Sequence, residues 1–252
     1  MANHMILDTE TTGTDKPFCY DIGYTIINDN GENLIAKHYV VEQVWHNLAL
    51  FESAYYAEKR PLYIQMMRQR TAVMDKYGYI MRNIATDIKK YNVVDVYAYN
   101  ADFDDNVFTF NCDWFKCNNP LENIPVYDIW GYASQFITNN PSYWVFCEEN
   151  KLFTKSGNYS GSAESVYRYI TDNNAFEEAH IGVFDADIEK DILIYAIANG
   201  AEFGKHYKVN RILTRAIPQD YTIKVNNKVI YKGQYIKVYH RNNVWNFTEA
   251  GE

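Results

Sequence analysis

The chain has 252 residues, 47% of them apolar and 22% charged, a globular composition with room for one α/β domain of ordinary size and a small appendage. A net charge of −8 argues against a protein that coats nucleic acid by bulk electrostatics. No run of about 18 apolar residues occurs, and the N-terminus has no basic region followed by an apolar stretch. Neither a spanning helix nor a signal peptide is therefore expected, and the expected location is the cytoplasm.

In chain order, residues 4–8 form an apolar run that stops at the carboxylate of Asp8, before the turn Thr11-Thr12-Gly13. This reads as a buried strand ending in a site. Residues 21–27 and 34–41 are β-rich and flank Asn28-Asp29-Asn30-Gly31, which has the chemistry of a hairpin loop, so three antiparallel strands open the chain. Residues 48–76 mix Leu, Tyr and Met with charges and read as irregular helices. Ile80, Met81, Ile84, Ala85 and Ile88 trace one face of a helix ending near Tyr91, and residues 93–99 read as a central strand. Helices are expected over 128–137, 143–150, 162–170 and 184–199. Strands followed by mostly helices make an α/β sandwich the natural architecture.

After about residue 215 the texture changes. Residues 221–225, 228–231, 235–240 and 244–247 are separated by two-residue loops and read as a small antiparallel meander, too small to be stable unless packed on the main domain. Charge is also uneven. Residues 1–202 carry 15 Lys and Arg against 29 Asp and Glu, a balance of −14, whereas 203–241 carry nine against Asp220 alone, a balance of +8. The basic segment is read as a surface that attracts a polyanion, with Lys224, Lys228, Lys237 and Arg241 as possible strand-binding residues.

Acidic residues at strand ends and helix starts in an apolar context carry the chemical signal, because carboxylates are rarely buried unless compensated. Asp8 and Glu10, two apart, project from one face of an extended strand. Asp104 follows the strand at 93–99, and Asp185 opens the helix at 184–199. If the four converge, their repulsion is severe without metal, and hard oxygen ligands favour Mg²⁺ or Mn²⁺ over zinc. Two such ions would suit phosphodiester hydrolysis, with His180 near enough to take a proton from water. The pair Cys112 and Cys117 has no neighbouring His or Cys to complete a zinc site.

Asp8-Thr9-Glu10-Thr11-Thr12-Gly13, Asn100-Ala101-Asp102-Phe103-Asp104 and His180-Ile181-Gly182-Val183-Phe184-Asp185 resemble, in order, the three motifs of the DEDD superfamily of 3′-to-5′ exonucleases. His180 five residues before Asp185, with Ile181 where another branch has Tyr, is similar to the histidine branch. That branch includes the proofreading subunit of bacterial replicative polymerase, ribonuclease T and oligoribonuclease. The resemblance covers residues 4–200 and implies a ribonuclease-H-like mixed sheet flanked by helices over 1–202; the charge and turn pattern, not the resemblance, make 203–252 a basic linker and small β-meander packed on the main domain. It implies Asp8, Glu10, Asp104 and Asp185 as ligands of two divalent cations and His180 as general base. Thr11, Thr12, Asn100 and Phe103 would border the terminal nucleotide. Tyr99 departs from the His common in relatives, and residues 48–76 and the C-terminal appendage have no counterpart.

The expected activity is removal of nucleotides from the 3′ end of a single strand, DNA before RNA. The alternatives are an exoribonuclease that trims RNA ends or short oligoribonucleotides, and a nuclease-fold binding module that recruits a polymerase or another replication protein.

Overall fold

A computed structural model describes residues 2–209 in full and, beyond them, the backbone of 214–217, 222–225, 228–232, 236–241 and 244–249. The chain opens with three long strands, β1 (Asn3–Thr11), β2 (Cys19–Asn28) and β3 (Asn33–Val41). Two single-turn helices, α1 (Glu42–Trp45) and α2 (Leu48–Phe51), and a 3₁₀ turn at Ala57–Lys59 lead into α3 (Arg60–Gln69). Next come β4 (Val73–Asp75), α4 (Tyr77–Lys90), β5 (Val93–Ala98), α5 (Ala101–Phe115) and β6 (Val126–Asp128). Helices α6 (Ile129–Phe136), α7 (Pro141–Asn150), α8 (Ala163–Thr171) and α9 (Gly182–Ala198) complete the body.

Six strands form one mixed sheet in the order β4-β3-β2-β1-β5-β6. The first three are antiparallel, as their turn chemistry predicts, while β4, β5 and β6 each pair in parallel with the neighbour they join. Every residue of β2 is buried, the pattern of a central strand covered on both faces. Apolar residues gather on both sides of the sheet. One cluster centres on Tyr20, Tyr24, Tyr63 and Phe108, under α3, α4 and α5; the other centres on Tyr97, Tyr132, Tyr143 and Trp144, among α6 to α9.

The expected α/β fold with a mixed sheet flanked by helices is therefore present, with differences in detail. β4 and β6 were not anticipated, because three residues are too few to show alternation. α9 begins two residues earlier than the pattern suggests, since the Ile181 carbonyl already accepts the N–H groups of Phe184 and Asp185.

The C-terminal segment is not the simple meander expected. Its strands are β7 (Thr214–Ile217), β8 (Thr222–Val225), β9 (Lys228–Lys232), β10 (Ile236–Arg241) and β11 (Val244–Glu249). The hairpins β8–β9 and β10–β11 form, but β7 takes the second edge of β10. No edge is left on β10 for β9, so the strands divide into a three-stranded sheet and a two-stranded ribbon. The side chains of Lys224, Lys228, Lys237 and Arg241 lie outside the described residues. Among the described residues, no helix is long and apolar enough to cross a membrane.

Candidate active site

The carboxylates singled out from the sequence converge where β1 ends. In the β1–β2 ladder Asp8 stands opposite Gly23 and Glu10 opposite Asp21. The first turn of α9 lies directly on this ladder. A Cβ on Gly182 would fall 2.6 Å from the Gly23 nitrogen and 3.0 Å from the Asp8 carbonyl oxygen, so only two facing glycines permit the approach. It puts Asp185 beside Glu10, with Asp185 Oδ2 accepting the Ile181 N–H at 2.8 Å. An anionic group in the first helical turn also suits the helix dipole.

Asp21 anchors the junction. Its buried carboxylate meets His38 Nε2 at 2.6 Å and accepts from the Tyr63 hydroxyl at 2.5 Å and the Gly182 N–H at 3.0 Å, tying together β2, β3, α3 and α9. Asp104, from the first turn of α5, reaches the same region and accepts a 2.6 Å hydrogen bond from the Thr9 hydroxyl. Strand β1 thus contributes Asp8 and Glu10 from one face and fixes Asp104 through the residue between them.

The electrostatics are those of a crowded acidic pocket. Burial pushes the Asp8 carboxyl well above its ordinary range, and repulsion from Glu189, Asp104, Asp185 and Glu10 adds to it. Burial likewise raises Glu10 to about 9, with Asp21 and Asp185 adding and Lys59 opposing. Asp185 rises to about 8, through burial and then Glu178, and Asp104 to about 7, through burial opposed by the Thr9 hydrogen bond. Asp8 Oδ2 and Asp185 Oδ1 are buried with no hydrogen-bond partner among the described residues. Orphaned carboxylate oxygens call for a proton or a cation. The donor set is all oxygen apart from His180, and ligand atoms of Glu10, His180 and Asp185 lie within 4.8 Å of one another. This fits a hard divalent cation.

His180 is held from outside the motif segments. Its backbone is left-handed, with φ of 47°, an uncommon conformation for a non-glycine residue. The Lys59 ammonium donates to the carbonyl of Ala179, and the imidazole stacks on Tyr56 with centroids 4.1 Å apart and planes 13° apart. The same ammonium lies 4.2 Å over the Tyr56 ring. Burial lowers the His180 pKa and Lys59 lowers it further, so the ring is neutral at pH 7 and able to accept a proton. Residues 48–76, which match no motif, thus supply the support of the candidate base.

The remaining rim residues are less engaged. The Thr11 hydroxyl donates to the Gly13 carbonyl, Thr12 is buried, and Phe103 is half-buried against the first core cluster. Asn100 is exposed and left-handed, and its N–H donates to Asp128 Oδ1 at 2.9 Å. Asp102 and Asp105 point to solvent, while Asp128 caps α6.

Sequence reasoning passed over Glu189. It is buried one turn beyond Asp185, is pushed well above its ordinary pKa by burial and then by Asp104, and accepts the Tyr99 N–H at 3.1 Å through Oε2. Glu189 and Asp128 thus catch two consecutive N–H groups at the turn that launches α5. The signal was available: Asp185, Glu189, Ile192 and Ala196 share the buried face of α9, and an acid in that row is anomalous.

No protein-family profile and no curated protein matches the chain. Solved structures do. An exonuclease I from Methylocaldum szegediense aligns with 79% of this chain and 41% of its own, at 17% identity and a TM-score of 0.56. The fold is shared with exonuclease I. The Escherichia coli exonuclease I in complex with a 5cy-dT13 oligonucleotide aligns over the same shares at 12% identity and a TM-score of 0.52. The nuclease domain of 3′hExo, a DEDDh family member bound to rAMP, aligns with 83% of this chain and 96% of its own, at 10% identity and a TM-score of 0.53. The chain therefore spans about two fifths of the exonuclease I chains and nearly all of the 3′hExo domain.

Proposed function

We propose that the chain is a metal-dependent 3′-to-5′ exonuclease acting on the end of a single nucleic-acid strand, with DNA preferred. The observation that carries this reading is the pair of buried, unpartnered oxygens on Asp8 and Asp185, set among carboxylates and beside a neutral imidazole. Asp8, Glu10, Asp104 and Asp185 are the residues that would hold divalent cations, Mg²⁺ or Mn²⁺, two of them by the family resemblance. When bound, such ions supply charge stabilisation at the phosphate.

The chain's own residues account for the remaining roles. The His180 imidazole takes a proton from the attacking water as its oxygen bonds to phosphorus. The P–O3′ bond breaks, the O3′ oxygen of the shortened strand takes up a proton from solvent to become its new 3′-hydroxyl, and a nucleoside 5′-monophosphate leaves. Lys59 and Tyr56 hold the imidazole in place. Thr11, Thr12, Asn100 and Phe103 border the terminal nucleotide. Exonuclease I with its DNA oligonucleotide supports the DNA reading, whereas 3′hExo with rAMP keeps RNA as the alternative substrate.

Matched single strands of DNA and RNA, labelled at the 5′ end and digested with Mg²⁺, with Mn²⁺ and with chelator, test the proposal. The expected result is a metal-dependent ladder shortening from the 3′ end, faster on DNA. A labelled strand that stays intact in both metals overturns it.

A further inference from the structure

A groove beside the candidate site is lined mostly by residues outside the motif segments. It encloses about 800 Å³ between α3, strand β3, the edge strand β4 and the start of α9, and its lining includes Leu62 and Gln65 of α3, Arg70 at the C-terminal cap of that helix, Tyr39, Val73 and Phe184. His38, also in its wall, is the β3 partner of Gly23, itself the β2 partner of Asp8, so the groove lies two strands, roughly 10 Å, from the carboxylates. Phe184 is 50% exposed although it adjoins Asp185, and Leu62 and Val73 are exposed as well.

Charge sets this region apart. Residues 59–74 contain Lys59, Arg60, Arg68 and Arg70 and no Asp or Glu, within a segment 1–202 of balance −14. Lys59 lies at the candidate site, where its charge opposes the raised pKa of Glu10 and Asp185, and Arg60 packs over Trp45. Arg68 and Arg70 are exposed at the far end of α3, and neither has an ion-pair partner among the described residues. α3 therefore carries positive charge away from the carboxylates over about 15 Å, its length at 1.5 Å per residue. Among the described residues, no acidic side chain lines the groove, and Lys37 in its wall is already paired with Asp87 at 2.6 Å.

We propose that this groove seats the single strand leading to the terminal nucleotide, with Arg70 in its wall and Arg68, exposed two residues earlier outside the lining, meeting the phosphates and Phe184 stacking on a base. The inference rests on the exonuclease reading and extends it to the path of the substrate. A basic track with an exposed aromatic ring is the combination single strands require, since phosphates supply charge at regular spacing and every base has a face to stack.

The test compares the full chain with the R68E/R70E double variant, with F184A, and with K89E/K90E, which makes the same charge change at the exposed end of α4. The p-nitrophenyl ester of thymidine 5′-monophosphate is too short to enter the groove and reports on the carboxylates alone. A 12-residue DNA strand reports on both. In R68E/R70E the KM for the strand should rise at least tenfold, and the slope of log KM against log salt should fall by about 1.4, at roughly 0.7 for each lost phosphate contact. F184A should raise that KM about tenfold. Turnover of the ester should change less than twofold in each, and K89E/K90E should match the parent on both substrates. Unchanged strand KM and salt slope, or an equal loss in K89E/K90E, overturns the groove. If the parent cleaves neither substrate, the catalytic reading fails, and fluorescence anisotropy of the labelled strand in chelator still judges the groove. Binding weakened in R68E/R70E and in F184A but kept in K89E/K90E supports it, and equal binding by all variants overturns it.

Discussion

Gly23 of β2 and Gly182 of α9 are in direct backbone contact: a Cβ at residue 23 would fall 1.9 Å from both the Gly182 carbonyl carbon and the Val183 nitrogen. The obstruction would be backbone, which cannot swing aside as a side chain can. Gly23→Ala is therefore expected to lift the first turn of α9 and carry Asp185 away from Asp8 and Glu10. Overpacking of this kind costs about 1–3 kcal/mol, and backbone on both sides argues for the upper end. Urea unfolding should show the lost stability, and Mn²⁺ titration should show weakened binding. A variant as stable and as avid for Mn²⁺ as the parent would mean that the contact does not position Asp185.

His180→Ala should leave the carboxylates in place while slowing turnover by about 10²–10⁴-fold, the usual scale for a general base. Tyr56→Ala removes the stacked ring but not the base. It should lower kcat by about tenfold with little change in KM, since roughly 1.4 kcal/mol of orientation is at stake. The Mg²⁺-induced rise in melting temperature should survive in both variants. Its disappearance in His180→Ala would make the imidazole a structural part of the metal site.

The two substitutions at Glu189 separate hydrogen bonding from charge. Glu189→Gln keeps an oxygen to accept the Tyr99 N–H, so the turn that launches α5 should hold and turnover should remain within a few fold of the parent. Glu189→Leu leaves that N–H buried and unpaired, at a cost of about 1–3 kcal/mol, and should also loosen Asp104. Activity in the order parent, Gln, Leu is expected. Equal loss in Gln and Leu would assign the role of Glu189 to its charge.

The pH dependence of stability has a definite sign. Asp104, Asp185 and Glu10 keep their protons to about pH 7, 8 and 9 in the folded chain, whereas unfolded carboxyls release them near pH 4. Between these limits the folded state binds more protons, so the metal-free chain loses stability as pH rises from about 4 to 9. The lowered pKa of His180 acts in the opposite direction, but only below about 6.5. Melting temperature in chelator should fall from pH 6 to pH 9, and added Mg²⁺ or Mn²⁺ should restore more of it at pH 8.5 than at pH 6. A metal-free melting temperature that climbs across this range would contradict the crowded pocket.

Sequence alone determined the β-rich runs of β1, β2 and β3 and the hairpin turn between the last two, the amphipathic stripe of α4 and the spacing that puts Asp8 and Glu10 on one face, because each depends on residues a few positions apart. The motif acids and His180 were legible chiefly through the resemblance of three segments, in order, to a known nuclease pattern. Only the tertiary structure decided what is packed against them. Gly23 meets Gly182 from across the chain, Thr9 fixes Asp104, Glu189 holds the Tyr99 turn, and Tyr56 with Lys59 supports His180 from a segment without any periodic pattern. Local sequence encodes the direction in which a side chain leaves its own strand or helix. The neighbour it meets is set by how the sheet and the helices close on one another.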